Sequence, residues 1–325
     1  MKRLFHLSTV PAQLQWFEND WKNITDFIKK NNIEGIELGL TASYPIEQIP
    51  SDIIEGVHLS FYPMWLDFWH GDIDKVSKIL GSREAVYDYY GGYDKQVIID
   101  SYKLQYQRAK QLGAKYMVFH ISHILIEDSF TFTYTYSDEE IIKASIELIN
   151  EVFGEDQDGP MLLFENLWWP GLTYLNPELV QYLIEQVKYL HKGYVLDVSH
   201  LILTNPKIAT ELQAFNYIEK VMSNLGDLKD TIKVVHLNKT LPKHYMQRDH
   251  NYTLQKYRQT KDKYGKNRIL KNHIKQMDPH QPFDHEIARK IIQLVSPDFC
   301  VYETAPSSKY ELAYFIKRQN IALGI

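Results

Sequence analysis

The stretch "GYVLDVSH" (193–200) sets the reading of this chain. An apolar, strand-forming run reaches a carboxylate at Asp197, and an imidazole follows three residues later at His200. In a continued strand, successive side chains alternate between faces, so these two would point to opposite sides. A turn directly after Asp197 removes that conflict and lets both groups face one centre. A single such pair carries little weight, so the other apolar runs decide the matter.

Seven further runs have strand length: "RLFHLS" (3–8), "GIELGL" (35–40), "GVHLSF" (56–61), "KYMVFHIS" (115–122), "MLLFEN" (161–166), "IKVVHLN" (232–238) and "FCVYET" (299–304). Each is rich in Val, Ile, Leu, Phe or Tyr. Most are apolar on both faces, the pattern of a parallel sheet covered by helices. Amphipathic patterns fill most intervals. "AQLQWFENDWKNITDFIKK" (12–30) repeats apolar residues at Leu14, Phe17, Trp21, Ile24 and Ile28. "SDEEIIKASIELINEVF" (137–153) opens with Ser137 and has Glu140 three residues on, a capping-box signature. "NPELVQYLIEQVKYL" (176–190) opens with an N-cap Asn and a first-turn Pro. "SKYELAYFIKRQ" (308–319) supplies a last helix. Strands alternating with helices predict an α/β fold, a single (β/α)8 TIM barrel over residues 1–325 with long loops after strands three and seven. A doubly wound open sheet is the rival, but no Gly-rich phosphate turn follows strand one.

Composition narrows the class. The 325 residues are 44% hydrophobic, enough for a large core, and the net charge of −5 excludes a polycation. No apolar stretch is long enough for a membrane span. The N-terminal residues do not read as a secretion signal, and the lone Cys300 excludes an internal disulfide framework. A cytoplasmic protein is the expectation.

In such a barrel the reactive groups stand at the C-terminal ends of strands. There the sequence places His58, His120, Glu165, Asp197 with His200, His236 and Glu303, and Glu37 sits near the end of strand two. Any one of these alone reads as a hydrogen-bonded core residue or a solvated loop carboxylate. Several ionisable groups buried at one mouth are costly without a compensating ion. With divalent metals they become ordinary ligands. Imidazole plus carboxylate suits zinc first and manganese or iron next, and none of these donors is a thiolate.

At this point the pattern resembles the xylose isomerase-like TIM-barrel superfamily, within it the endonuclease IV and sugar-phosphate isomerase–epimerase families. "YVLDVSH" resembles the strand-six Asp-x-x-His signature. "GVHLSF", "VFHIS" and "HLN" (236–238) resemble the strand-three, strand-four and strand-seven elements. "DPHQPFDHEI" (278–287) supplies the Asp-x-His that precedes the last helix and strand. The resemblance implies metal ligands at His58, His120, Glu165, Asp197, His200, His236, Asp278, His280 and Glu303, with one to three divalent ions per chain. Three motifs depart from endonuclease IV. "HLNKT" lacks its Asp-Ser-Lys, strand four lacks Pro-Gly after its His, and "QPFD" replaces Glu-Asn-Ile-Gly. These departures bear on DNA repair more than on the metal site.

Two chemistries fit. Multinuclear, endonuclease IV-like phosphoester hydrolysis uses all the ligands, with Glu165 bridging ions or orienting water. A single-metal sugar or sugar-phosphate isomerase or epimerase needs only Glu165, Asp197, His236 and Glu303, with Glu165 and Glu303 moving a proton and His200 on a substrate hydroxyl. The expected partner is a small phosphorylated or sugar substrate, or damaged DNA, and no membrane.

Two insertions stand on the catalytic face, 62–95 and 239–277. The first, rich in Trp and Tyr, reads as a lid or wall, or equally as a small satellite core. Residues 239–275 carry eight Lys and three Arg against two Asp, with tyrosines interleaved. Such a segment beside a metal site is read as a phosphate grip, against the plainer reading of a solvated excursion. Glu37, Asn238, Lys239, Lys243 and Arg248 are the expected substrate contacts.

Overall fold

The computed structural model describes all residues except 155 and 157. Eight parallel strands close into a barrel in chain order: β1 (Lys2–Ser8), β2 (Gly35–Gly39), β3 (Ile54–His58), β4 (Tyr116–His120), β5 (Met161–Glu165), β6 (Lys192–Asp197), β7 (Ile232–His236) and β8 (Phe299–Tyr302). Pairing of Phe5 with Tyr302 closes the ring. Every expected run is a strand. Several stop earlier than the apolar pattern suggests, and β3 to β7 each end on a candidate residue itself.

Side-chain alternation builds the interior in layers. Leu4, Val118, Leu163, Val195, Val234 and Val301 pack together inside the barrel. Their neighbours along each strand, such as Phe5, Met117, Phe164 and Leu196, pack outward into the larger core under the helices. Two residues beyond the inward apolar layer, the same face presents His6, His120, Glu165, Asp197, His236 and Glu303. An apolar floor thus lies beneath an ionisable rim.

The surrounding helices follow local signals, with one correction. Residues 12–30 are not one helix. A turn of helix (Pro11–Leu14) and a 3-10 turn (Gln15–Phe17) lead to Glu18 and Asn19, which take left-handed φ of 60° and 57°. Asp20 then accepts from the Lys22 amide and starts a new helix, Trp21–Lys30. The apolar spacing survives the break because Leu14, Phe17, Trp21, Ile24 and Ile28 are all buried. Ser137 and Glu140 form the expected capping box on Asp138–Val152. Asn176 caps Pro177–Gln186, which ends short of the expected 190. Ser308 caps Lys309–Leu323.

The segment after β3 is a folded satellite rather than an open loop. It forms Leu66–Trp69, Ile73–Leu80 and Arg83–Tyr90, and Phe68 stacks on Tyr90 with ring centres 3.8 Å apart. The segment after β7 forms Lys243–Met246, Asn251–Gln259 and Lys263–Met277. The two insertions meet through Lys263 and Asp88 at 3.4 Å, and Arg258 reaches Glu127 in the loop after β4 at 3.0 Å. Among the described residues no helix is long and apolar enough to cross a membrane.

Candidate metal centre at the barrel mouth

Asp197 answers the question raised by its own motif. It is the last residue of β6 and also the N-cap of a short helix, Val198–Leu203. Its Oδ1 accepts from the His200 amide at 2.7 Å. That cap turns the chain as the strand ends, so the His200 ring swings to the side on which Asp197 points. His200 Nδ1 lies 2.9 Å from the Asn166 carbonyl and 3.2 Å from Glu165 Oε1, and its Nε2 lies 3.4 Å from Asp278.

The remaining groups converge on the same centre. Glu165 Oε2 lies 3.1 Å from His58 Nε2 and 3.0 Å from His120 Nε2. His236 Nδ1 lies 3.0 Å from Glu303, 3.6 Å from Glu165 and 3.8 Å from Asp197. His280 Nε2 lies 2.7 Å from Asp278. Ligand atoms of His58, His120 and Glu165 fall within 4.8 Å of one another; so do those of Glu165, Asp197, His236 and Glu303, and those of Asp197, His200 and His280. The three groups overlap at Glu165 and Asp197. His280 reaches its place with a left-handed φ of 44°, held by its Nδ1 on the Glu303 carbonyl at 2.9 Å.

Electrostatics and unsatisfied atoms both suit cations. Burial alone would depress His58, but the adjoining Glu165 lifts it to about 9. His280, desolvated but facing Asp278, rises to about 10. Burial, with Glu303 and Glu165 nearby, raises Asp197 to about 7 despite His200. Carboxylates crowded in this pocket thus draw positive charge onto His58 and His280, while burial holds His120 below its ordinary value despite Glu165. Asp278 Oδ1 is buried without a hydrogen-bond partner, a cost of roughly 1–3 kcal/mol if left so, while Glu165 Oε1 and His236 Nδ1 each face an ionisable neighbour, His200 at 3.2 Å and Glu303 at 3.0 Å. The donor set of imidazole nitrogens and carboxylate oxygens fits a divalent metal such as zinc.

Residues 91–288, more than half of the chain, match the family described as xylose isomerase-like TIM barrel. The chain belongs to that family. Probable endonuclease 4 of Halothermothrix orenii is 29% identical over 145 residues, which cover 43% of this chain and 47% of that protein. The match therefore spans about half the length of this curated relative. Endonuclease IV of Thermus thermophilus superposes with a TM-score of 0.50 at 14% identity, covering 100% of this chain and 99% of that one. The 3-keto-D-glucoside 4-epimerase of E. coli superposes with a TM-score of 0.54 at 12% identity, covering 100% of both chains. At such identities the two structures speak for the shared barrel alone.

Within this family barrel, a further set of residues holds the donors. Glu37 lies behind His236, fully buried, and accepts from its Nε2 at 3.1 Å and from the Tyr116 hydroxyl at 2.9 Å. Burial opposes its charge, but His236 and His6 hold its pKa down at about 2. Glu37 does not line the mouth, and its ligand atom falls within 4.8 Å of those of His58 and His236. Asn238 has a similar place. Its Nδ2 donates to Asp197 Oδ2 at 2.7 Å, and its Oδ1 accepts from the Ser199 amide at 2.9 Å. Asn166 brackets the Asp197 backbone from the other side.

The cations expected to grip phosphate lie elsewhere. Lys239 Nζ is 2.6 Å from both Glu211 and Asp284. Lys243 and Arg248 are exposed, and the Arg248 guanidinium lies over the Tyr245 ring. None of the three lines the mouth, a cavity of about 430 Å³ bounded by His58, His120, His200, His280 and Glu303. Its walls include side chains that sequence reasoning passed over. Phe61 sits edge-on to His120 at 4.1 Å, and Trp168 lies 5.0 Å from His200. Trp169 and His6 also face this space. His6 carried a readable signal, since it stands two residues after the inward Leu4. The tryptophans, in the loop after β5, carried none.

Proposed function

We propose that the protein is a divalent-metal-dependent phosphoester hydrolase acting on a small sugar-phosphate substrate. One observation carries the reading: Glu165 and Asp197 each belong to two donor groups, so the three groups form one continuous site. His58, His120 and Glu165 would hold one ion; Glu165, Asp197, His236 and Glu303 a second; His200, His280 and Asp278, beside Asp197, a third. Zinc fits first, with manganese or iron as alternatives. Bound there, the metals would supply Lewis-acid activation of water and neutralise phosphoryl charge.

The chain's own residues do the positioning. Glu165 holds Oε2 between His58 and His120 and Oε1 3.2 Å from His200 Nδ1, where it can orient a water. Glu303, pinned by His236, presents a second carboxylate across the cavity, and His200 presents an imidazole to a substrate oxygen. Phe61, Trp168 and Trp169 exclude bulk water and strengthen these interactions. A mouth of about 430 Å³, walled by Phe61, Trp168 and Trp169, is of a size that supports a small substrate.

A second reading has its own support. Glu165, Asp197, His236 and Glu303 are by themselves a complete set of four donors. With one ion there, Glu165 and Glu303 would move a proton between neighbouring sugar carbons in an isomerase or epimerase. Metal content per chain separates the readings. Two or three ions, with phosphate release from a sugar-phosphate or abasic-duplex panel, support hydrolysis. One ion, with ketose–aldose or epimer interconversion and no phosphate release, replaces it with the second.

A further inference from the structure

We propose that a second cavity, between the two insertions, is a subsite for an aromatic or alkyl group that carries a negative charge. This cavity of about 540 Å³ is assembled from four loops and a helix: Met64 and Tyr89 after β3, Ile124 after β4, Trp169 after β5, Pro306 after β8, and the helix Lys263–Met277. On that helix Asn267, Leu270, Lys271, Ile274 and Lys275 line the space. Their spacing places them on one face. The face has an apolar body, Leu270 and Ile274, and an edge of two lysines one turn apart.

The lysines give the occupant its charge. Three other cations of the same insertion, Lys239, Arg258 and Lys263, are paired with Glu211 and Asp284, with Glu127 and with Asp88, and none of the three lines this cavity. Among the described residues neither Lys271 nor Lys275 forms an ion pair, and both are exposed at the cavity rim. An anionic group beside these two solvated ammonium groups gains a contact that a neutral group lacks, and among the described residues Asp278 is the one carboxylate lining the space. Lys271 and Lys275 are the cations of the basic segment that line this cavity, so anionic recognition here falls to them.

The cavity is joined to the reaction centre. Trp169 and Ile274 line both it and the mouth, and Asp278, which closes the helix, touches His200 and His280. A substrate whose reacting end lies at the donor groups can extend past Trp169 into this space. In that respect the inference rests on the proposed function: it assigns the substrate a non-reacting end that is apolar and anionic.

The test is calorimetric binding of 2-naphthalenesulfonate and of neutral 2-naphthol to the metal-loaded protein, with metal content measured in parallel. The sulfonate is expected to bind at one site about tenfold more tightly than the naphthol at low salt, the scale of a modest charge interaction. Lys271→Glu with Lys275→Glu should abolish that preference and leave naphthol binding and metal content unchanged. Leu270→Asp should weaken both ligands. Equal sulfonate binding by wild type and the double lysine variant overturns the anionic part. Unchanged binding of both ligands in Leu270→Asp overturns the subsite. Intact sulfonate binding in a protein that holds at most one metal removes the hydrolase reading and leaves the subsite standing. Full metal content without binding of either ligand removes the subsite alone.

Discussion

Glu37 Oε2 accepts from His236 Nε2 at 3.1 Å, so the other nitrogen of that ring faces Glu303 at 3.0 Å. A carboxylate on β2 thus sets the orientation of an imidazole on β7, across the barrel. Carboxylates behind a ligating histidine fix its tautomer and raise its basicity. Glu37→Gln is expected to lower metal affinity about 10–100-fold while the protein stays folded. Titration with zinc against a competing chelator measures it, and wild-type affinity in the variant rules out the supporting role.

Asp197 has two duties, one in the donor groups and one as the cap of Val198–Leu203. Alanine would confound them, since losing a cap costs about 1 kcal/mol by itself. Asparagine keeps a capping oxygen and removes the charge. Asp197→Asn should keep the cap but set its amide nitrogen against the donating Nδ2 of Asn238, so in chelator it should lose about 1–3 kcal/mol and stay folded, and it should lose bound metal and activity. His236→Ala should lose metal too. Full metal stoichiometry in both variants would remove them as ligands.

Tyr116 crosses the barrel interior directly over Gly56. A Cβ on Gly56 would overlap the Tyr116 ring, which has no flexible end to move aside. Gly56→Ala should destabilise by about 1–3 kcal/mol or more, as overpacked cores do. It should also weaken zinc binding, because the displaced ring carries the hydroxyl that donates to Glu37. Denaturant unfolding and metal titration read the two effects separately.

His123 anchors the satellite after β3. Its Nδ1 accepts from the Trp65 and Leu66 amides at 3.0 and 3.1 Å. Burial lowers its pKa from 6.5 to about 4, with Lys75 adding to the shift and Asp67 opposing it. Below pH 6.5 the unfolded chain takes up a proton here that the folded chain refuses. Stability from this group is therefore complete above about 6.5 and is lost as the pH falls through about 4. The full loss is about 3 kcal/mol. His123→Asn keeps an acceptor but cannot titrate, so its unfolding free energy should fall less than wild type's between those pH values. Parallel pH curves would refute this.

Lys243 and Arg248 lie away from both cavities. Neutralising both should leave KM and its salt dependence within about twofold of wild type, the scale of exposed charges. A large rise in KM would return them to the substrate path.

The barrel and its rim of donors were legible because both follow from alternation along a strand. A run that buries both faces must be a covered parallel strand. Once Val195 points inward, Asp197 must do so too, and the same step of two leads from Leu163 to Glu165 and from Val234 to His236. The capping box at Ser137 and the N-cap at Asn176 were legible for a similarly local reason. Packing of parts distant in sequence decided the rest. Glu165 became shared because barrel closure and register bring β3, β4 and β7 around it. Glu37 meets His236 and does not line the mouth, because barrel closure brings these β2 and β7 side chains together inside. Charge count could show that residues 239–275 are basic, but not which cations face the mouth. Where each lysine falls depends on how the helices of the insertion dock on the barrel, and that is set by side chains brought together only in the folded state.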